Sequence, residues 1–354
     1  MSSPASWHAR WPALQGGVLA VAAAILFGIS TPLVQRAGAG LGPFTTAALL
    51  YAGAALLGLL TRQPAEKEAR LRRGDLPRVL AMACIGAAAA PAALAWGLQH
   101  TAAAGASLML TLEAVFTALL ARLLYGETMD LRVGAALLLL TAGGAVLLAD
   151  GGLAGTGSLL GLLAVLAATA GWGVDNALSR GVAERDPAQV VLAKSALGGL
   201  AAAALAWVGA EPWPALARVL ALLAIGATGY GLSLKLYLRA QRAFGAGRTG
   251  SVFAFAPFVG AALAAALGER ALGWWTLAAA LLMLLGVVLH LSESHAHEHV
   301  HETMAHEHAH SHDDGHHDHV HDPMPVGMHS HWHEHPAVRH THPHVPDLHH
   351  THRH

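Results

Sequence analysis

Thr111–Glu127 reads TLEAVFTALLARLLYGE, and 142 residues later Phe253–Glu269 reads FAFAPFVGAALAAALGE. The shift is gapless. It lays Phe116 on Phe258 and Gly126-Glu127 on Gly268-Glu269, and it extends to Gln99 on Gln241, Gly105 on Gly247 and Gly144 on Gly286. Two stretches that close on the same Gly-Glu pair mark a chain built from two similar halves. If each half holds an odd number of membrane crossings, the second enters the bilayer upside down. That is the inverted repeat from which secondary transporters build two alternating states.

Crossing about 30 Å of hydrocarbon takes roughly 20 mostly apolar residues. Apolar runs of that length fall at 13–34, 44–61, 79–98, 103–125, 131–149, 158–179, 189–209, 216–238, 249–267 and 272–291. The expected fold class is therefore an all-α membrane protein, with ten transmembrane helices in two inverted five-helix repeats. The expected domains are 13–149, 150–291 and a tail, 292–354. Hydrophobic residues make up 54% of the chain and charged ones only 12%, too few to cover a water-soluble domain. The 39 glycines suit helices that approach closely through small side chains.

Orientation follows from Lys and Arg. With the N-terminus inside, the inner loops collect 13 of them: Arg10, Arg62, Lys67, Arg70, Arg72, Arg73, Arg78, Arg132, Arg180, Arg185, Arg239, Arg242 and Arg248. The outer loops keep Arg36, Arg218 and Arg270. Both termini are expected in the cytoplasm, and the protein in the cell (inner or plasma) membrane. Ala13–Val34 is too long for a signal-peptide core and reads as the first span. Cys84, the only cysteine, allows no intramolecular disulfide and reads as a small buried apolar residue.

Leu112-Glu113-Ala114-Val115-Phe116-Thr117-Ala118-Leu119-Leu120, closing on Gly126-Glu127, resembles the end of the fourth helix of EamA-type transporters in the drug/metabolite transporter superfamily. Ala256-Pro257-Phe258 through Gly268-Glu269 resembles the ninth. Phe27-Gly28 and Trp172-Gly173 fit the aromatic-Gly openings of the two halves. The resemblance covers residues 13–291. Ala114 departs from it, because the family often has proline there. The resemblance implies transport of a small metabolite, commonly export.

Glu113 lies near the centre of span four, where an ionised carboxylate costs at least ~2.5 kcal/mol. It should face a wet cavity or a partner, and there it could bind a substrate amine or carry a proton. Arg122, Asp175, Lys194 and Lys235 share one depth inside the inner ends of their spans and could pair as an inner gate. For Arg122 and Lys235, snorkelling to the headgroups is the better reading. Asp175 with Asn176, beside Trp172, is too short to snorkel, and Lys194-Ser195 lies deeper. Tyr230 and Tyr237 in span eight, and Trp96, Gln99 and His100 ending span three, are candidates for substrate contact or interfacial anchoring. Pro257 should break span nine and free backbone carbonyls, as transporter sites often require. Glu127 and Glu269, at helix ends, suit capping. The substrate-binding or coupling set is thus Glu113, Trp172, Asp175, Asn176, Lys194, Ser195, Tyr230 and Pro257.

The tail holds 23 of the 26 histidines. They alternate in runs: His295, His297, His299 and His301; His306, His308, His310 and His312; His316, His317, His319 and His321; His329, His331, His333 and His335. A further run spans His340–His344. Imidazole without cysteine suits Ni(II), Zn(II), Co(II) or Cu(II), and Glu298, Glu307, Asp313, Asp314 and Asp318 add oxygen ligands. With Pro, Gly and His largely replacing large apolar residues, the tail cannot bury a core and is expected to be disordered.

Two readings follow. One is a secondary carrier, an exporter by the resemblance, of a small organic metabolite, with a tail that senses or buffers divalent metal. The other is a carrier of the metal ion (Ni, Co or Zn), or of a metal–metabolite complex. Against the second, the spans hold no His/Asp pair at ligand spacing. No nucleophile–base pair or phosphate loop points to an enzyme, and no nucleic-acid partner or transport cofactor is expected. A homodimer is left open.

Overall fold

A computed structural model describes residues 10–64, 68–125, 131–154, 156–182, 185–244, 246–269, 273–291, 295–301, 304–310, 329–335 and 338–344. Up to Leu291 the regular structure is helical. In hydrocarbon no water is present to bond free backbone groups, so an Ala/Leu-rich chain must satisfy its own carbonyls and amides as helix. Eight helices among the described residues are long and apolar enough to cross a membrane. They are α1 (Arg10–Ala37), α2 (Pro43–Leu60), α3 (Arg73–Leu98), α4 (Ala103–Leu124), α5 (Leu131–Ala154), α6 (Ser158–Val182), α7 (Pro187–Val208) and α8 (Leu216–Gln241).

The expected ninth span is broken into α9 (Ala246–Phe253) and α10 (Ala256–Ala266). Pro257 stands in the first turn of α10, where its missing N–H costs no helical bond. The last helix, α11 (Trp274–Leu291), is 18 residues long.

Hydrogen bonds fix the direction of each half. Arg36 at the end of α1 donates to the Leu267 carbonyl (2.6 Å), and Gln35 donates to the carbonyls of Leu98 (2.9 Å) and Thr101 (3.0 Å). Thr101 in turn meets Ser158, at the start of α6, with the hydroxyls 3.4 Å apart. The end of the first half's first helix and the start of the second half's first helix therefore share one face of the bundle. The halves run in opposite directions, as an inverted repeat requires.

That face also carries Trp207, Trp213, Trp274 and Trp275, all exposed, where amphipathic indoles suit a membrane interface. The opposite face gathers Arg62, Arg70, Arg72, Arg73, Arg78, Arg122, Arg132, Arg180, Arg185 and Arg239.

The halves share a second irregularity. Ala83–Ala89 in α3 and Gly226–Leu232 in α8, 143 residues apart, are both wound as π-helix. Each widened turn shifts the helix register and leaves carbonyls off the α ladder. Glycines let α2 and α8 touch along the backbone, since a Cβ on Gly226 would collide with the Leu50 carbonyl. Cys84 is exposed rather than buried. It sits on the outside of α3, where lipid accepts a thiol as readily as a core does.

In the tail, where disorder was expected, the described segments are strands. β1 (His295–His301) pairs antiparallel with β4 (Val338–His344), and β2 (Met304–His310) with β3 (His329–His335). Alternating His-x-His has the period of a strand, and a backbone ladder needs no apolar core. The register sets His295, His297 and His299 opposite His344, His342 and His340, and His306, His308 and His310 opposite His333, His331 and His329. His312, His316, His317, His319 and His321 lie outside the described residues, as does Glu127.

Gly226→Val should cost about 1–3 kcal/mol by overpacking, read as a lower unfolding midpoint in detergent. Gly134→Ala, where a Cβ meets open space, should be neutral or stabilising. Equal midpoints for wild type and Gly226→Val would contradict the close α2–α8 contact.

Candidate functional site

A cavity lies at the centre of the bundle, with a water-accessible volume of about 50 Å³. Its walls are Phe27, Tyr51, Glu113, Trp172, Asp175, Asn176, Lys194, Gly229, Tyr230, Ser233, Leu234, Tyr237 and Phe253. These residues run from the middle of the spans to their arginine-rich ends. At the other end the halves are tied shut. Besides the Arg36 and Gln35 bonds, Arg218 donates to the Ala39 carbonyl (2.6 Å), and Glu211 accepts from the amides of Phe44 (3.2 Å) and Thr45 (2.6 Å). The Glu269 carboxylate accepts from the Ala104 amide at 3.2 Å, capping α4 as the sequence led us to expect of a helix-end glutamate. Burial raises the Glu269 pKa above the usual carboxylate value, against the lowering effect of the amides of Ala104 and Ala103.

The first wall follows from the π-turn of α3. The Gly86 carbonyl accepts from the Tyr51 hydroxyl (2.7 Å) and from the Trp172 indole N–H (2.9 Å). One backbone oxygen thus fixes two aromatic side chains from two other helices. The π-turn of α8 supplies Gly229 and Tyr230 on the facing side. Phe27 stands between, edge-on to Trp172 and to Tyr230 with both pairs of centroids 5.8 Å apart. Tyr237 meets Phe253 edge-on at 5.0 Å. Such edge contacts bring the positive rim of one ring to the negative face of the next.

The charged groups form two pairs. Lys194 donates to Asp175, and the two residues are 3% and 4% exposed. Asn176 Nδ2 donates to Glu113 Oε1 at 2.5 Å. Lys194 and Asp175 offset each other, while Asn176 is neutral and leaves Glu113 as the carboxylate without a counter-ion of its own among the wall residues. Asp175 Oδ1 and the Tyr230 hydroxyl are buried without a hydrogen-bond partner. Both belong to cavity-wall residues and can bond to a polar solute.

Six of the eight predicted residues come together here: Glu113, Trp172, Asp175, Asn176, Lys194 and Tyr230. Ser195 is buried beside Lys194 but is not a wall residue, and its hydroxyl has no partner. Pro257 shapes the break before α10 rather than the wall.

The four-charge inner gate does not form as expected. Only Asp175 and Lys194 pair; Lys235 donates to the Thr61 carbonyl at 3.2 Å, and Arg122 is exposed. Depth alone put the four together, whereas their helices place them on different faces. Trp96 and His100 stack on each other, ring centroids 4.0 Å apart, at the sealed end and away from the cavity. Sequence reasoning missed Tyr51, Phe253, Gly229, Ser233 and Leu234. The available signal for Tyr51 was rarity, since it is one of only four tyrosines and lies mid-span.

Comparison with known proteins agrees with this architecture. The EamA-like transporter family matches residues 14–149 and again 159–292. An uncharacterized transporter of Methanothermobacter thermautotrophicus (strain Delta H) is 29% identical over 273 residues, covering 71% of this chain and 78% of its own. A protein known from a crystal structure shares the fold with a TM-score of 0.55 at 22% identity, over 79% of this chain and 96% of that one.

Removing one member of the buried pair strands the other. Lys194→Met should destabilise by about 3–5 kcal/mol, whereas the double variant Asp175→Leu/Lys194→Met should recover most of it. Thermal unfolding in detergent tests this, and additive losses would show that the two side chains are not coupled.

Proposed function

The chain belongs to the EamA-like transporter family, and from that premise we propose that it is a secondary carrier exporting a small organic metabolite with a basic nitrogen. The cytoplasmic tail, in this reading, binds divalent metal. The coarse part, a multi-pass membrane transporter, follows from the family and from the related archaeal transporter.

One observation carries the choice of solute. Three of the chain's four tyrosines, with Trp172, Phe27 and Phe253, wall a single cavity whose unbalanced charge is the Glu113 carboxylate. Ring faces and a carboxylate together suit a cation attached to an apolar body. The same wall contains neither histidine nor cysteine. A dehydrated Ni(II) or Zn(II) prefers such ligands gathered at one point, which favours the organic solute over the metal ion.

The mechanism follows from the inverted halves. The structure is tied at the tryptophan-bearing face, and its cavity wall runs from mid-span toward the arginine-rich face, which we read as the cytoplasmic one. A solute entering from the cytoplasm meets Tyr237 and Phe253, then Glu113 between the two π-turns. Exchange of roles between the halves would open the tied face and expose the solute outside. For the tail, the support is the sequence and the backbone register: each ladder sets three histidines of one strand opposite three of the other.

Counterflow of labelled amines, amino acids and metals in proteoliposomes tests the proposal. Glu113→Gln should lower solute flux at least about tenfold, equivalent to ~1.4 kcal/mol, and remove its pH dependence while the protein still inserts. Unchanged flux would sink the role of Glu113, and metal flux in the absence of any organic flux would overturn the choice of solute. Deleting residues 292–354 should abolish most Ni(II) or Zn(II) binding by calorimetry yet retain solute flux. In the intact chain that binding should weaken as pH falls through roughly 6.5, since protonated imidazole is no ligand.

A further inference from the structure

Between the cavity and the tied face, helices α1, α4 and α10 meet at a seam. α1 and α4 belong to the first half and α10 to the second, so opening that face must part α10 from the other two. Two of the ties join the same three helices. Arg36, at the end of α1, bonds to Leu267 just past α10, and Glu269 beyond it caps the start of α4. Further in, the helices approach most closely. A Cβ on Gly260 of α10 would lie 2.7 Å from the Ser107 hydroxyl oxygen of α4 and 2.8 Å from the Gly28 carbonyl of α1. Gly28 in turn has no room for a Cβ beside the Ala256 carbonyl. Phe27, beside Gly28, and Glu113, two residues past Thr111, already belong to the cavity wall.

Two hydroxyls on this part of α4 are out of keeping with the other spans. Ser107 is 0% exposed and Thr111 2%, and neither hydroxyl has a hydrogen-bond partner among the described residues. A helix offers each of them one close by, the carbonyl four residues back. Thr46, Thr141, Thr169 and Thr228 take it, at 2.7–2.9 Å. Ser107 Oγ points across the seam instead, at Gly260. The 3-10 turn Leu110–Leu112, which carries Thr111, packs against α10 as well. Thr117 and Ser195 also lack partners, but both lie nearer the arginine-rich face than Glu113 does. A buried hydroxyl without a partner calls for a reason, and packing alone would be served as well by alanine.

We propose that Ser107 and Thr111 form a second, outer binding station for the solute, occluded in this structure and uncovered when α10 parts from α1 and α4. The proposal rests on the reading of the solute as one with a basic nitrogen that leaves through the tied face. A hydroxyl oxygen accepts from N–H as a carboxylate does, but without the charge that strengthens the bond. A protonated nitrogen leaving Glu113 is thus received by two neutral acceptors, which replace part of its lost bonding and hold it less tightly. From Glu113 to Ser107 is about 9 Å of helix at 1.5 Å per residue, and Thr111 divides the distance. The glycines opposite close the seam over these hydroxyls while the face is tied.

The test uses the full chain and labelled agmatine, a cation too strongly charged to leak through lipid. Ser107→Ala and Thr111→Ala each remove a hydroxyl that bonds to nothing here, so neither should lower the thermal unfolding midpoint in detergent. Agmatine counterflow in proteoliposomes should nonetheless fall several-fold in each variant and further in the double variant. Equilibrium binding of agmatine should stay unchanged, because Glu113 is intact. For access, Ser107→Cys is made in a Cys84→Ala background and expressed in intact cells. It should react slowly with a membrane-impermeant methanethiosulfonate added outside, and several-fold faster once Arg36→Met/Glu269→Ala removes the ties over the seam. Unchanged counterflow in the double alanine variant overturns the station. A loss of flux that tracks a lowered midpoint assigns the hydroxyls to packing and overturns it equally. A thiol at 107 that stays unreactive when the untied variant is folded overturns its place on the exit route. Absence of agmatine flux in the unaltered chain is a different failure, that of the basic-nitrogen reading, and the receiving role falls with it.

Discussion

Hydrocarbon offers no water to an unpaired carbonyl, and the cavity is built from that constraint. A regular helix would keep every carbonyl of α3 for itself. The π-turn at Ala83–Ala89 releases the oxygen of Gly86, which must then find donors inside the protein. Tyr51 and Trp172 supply them, and in doing so are fixed as two walls of the binding space. The matching turn in α8 does the corresponding work on the other side, with Tyr230 held among Phe27, Tyr51 and Trp172. A defect in hydrogen bonding, repeated once in each half, thus becomes a cavity wall.

The same constraint governs charge. Asp175 and Lys194 are tolerated at the depth they occupy because each is the other's partner; Glu113 is tolerated because Asn176 donates to it. A cavity of this kind has few free parameters. Changing any one ionisable group alters the balance of the remaining two, so the charge of the cavity and the stability of the protein are set by the same residues.

Much of this was legible in the chain itself. Apolar run length located the helices, and the 142-residue echo gave the two-half architecture. Ionisable residues in apolar runs pointed to Glu113, Asp175 and Lys194, since each is conspicuous where it stands. Aromatic residues such as Phe27, Tyr51 and Phe253 stand out far less, because in a lipid-facing helix they are equally at home on the outside. Which face they turn depends on helix rotation, and here rotation is set partly by π-turns that small residues such as Gly86 and Gly229 permit but do not announce. The break before Pro257 was legible, whereas the separation of Arg122 and Lys235 from the Asp175–Lys194 pair was not, for depth can be counted along a chain and azimuth cannot. The tail's alternation was visible, but its pairing into ladders depends on register between distant runs.

Apart from the Thr101–Ser158 hydroxyl contact, the seal at the tryptophan-bearing face is made of side chains that bond to main chain. Arg36, Arg218, Gln35 and Gln99 reach carbonyls, while Glu211 and Glu269 reach amides. Every non-proline residue offers the same carbonyl and amide, so the identity of Leu267, Ala39, Leu98 or Ala104 does not matter to the bond it makes. These partner positions are free to drift through evolution without compensating change elsewhere. A closure of this design leaves no trace of correlated substitution between its two sides, and methods that infer contacts from paired variation would pass over it.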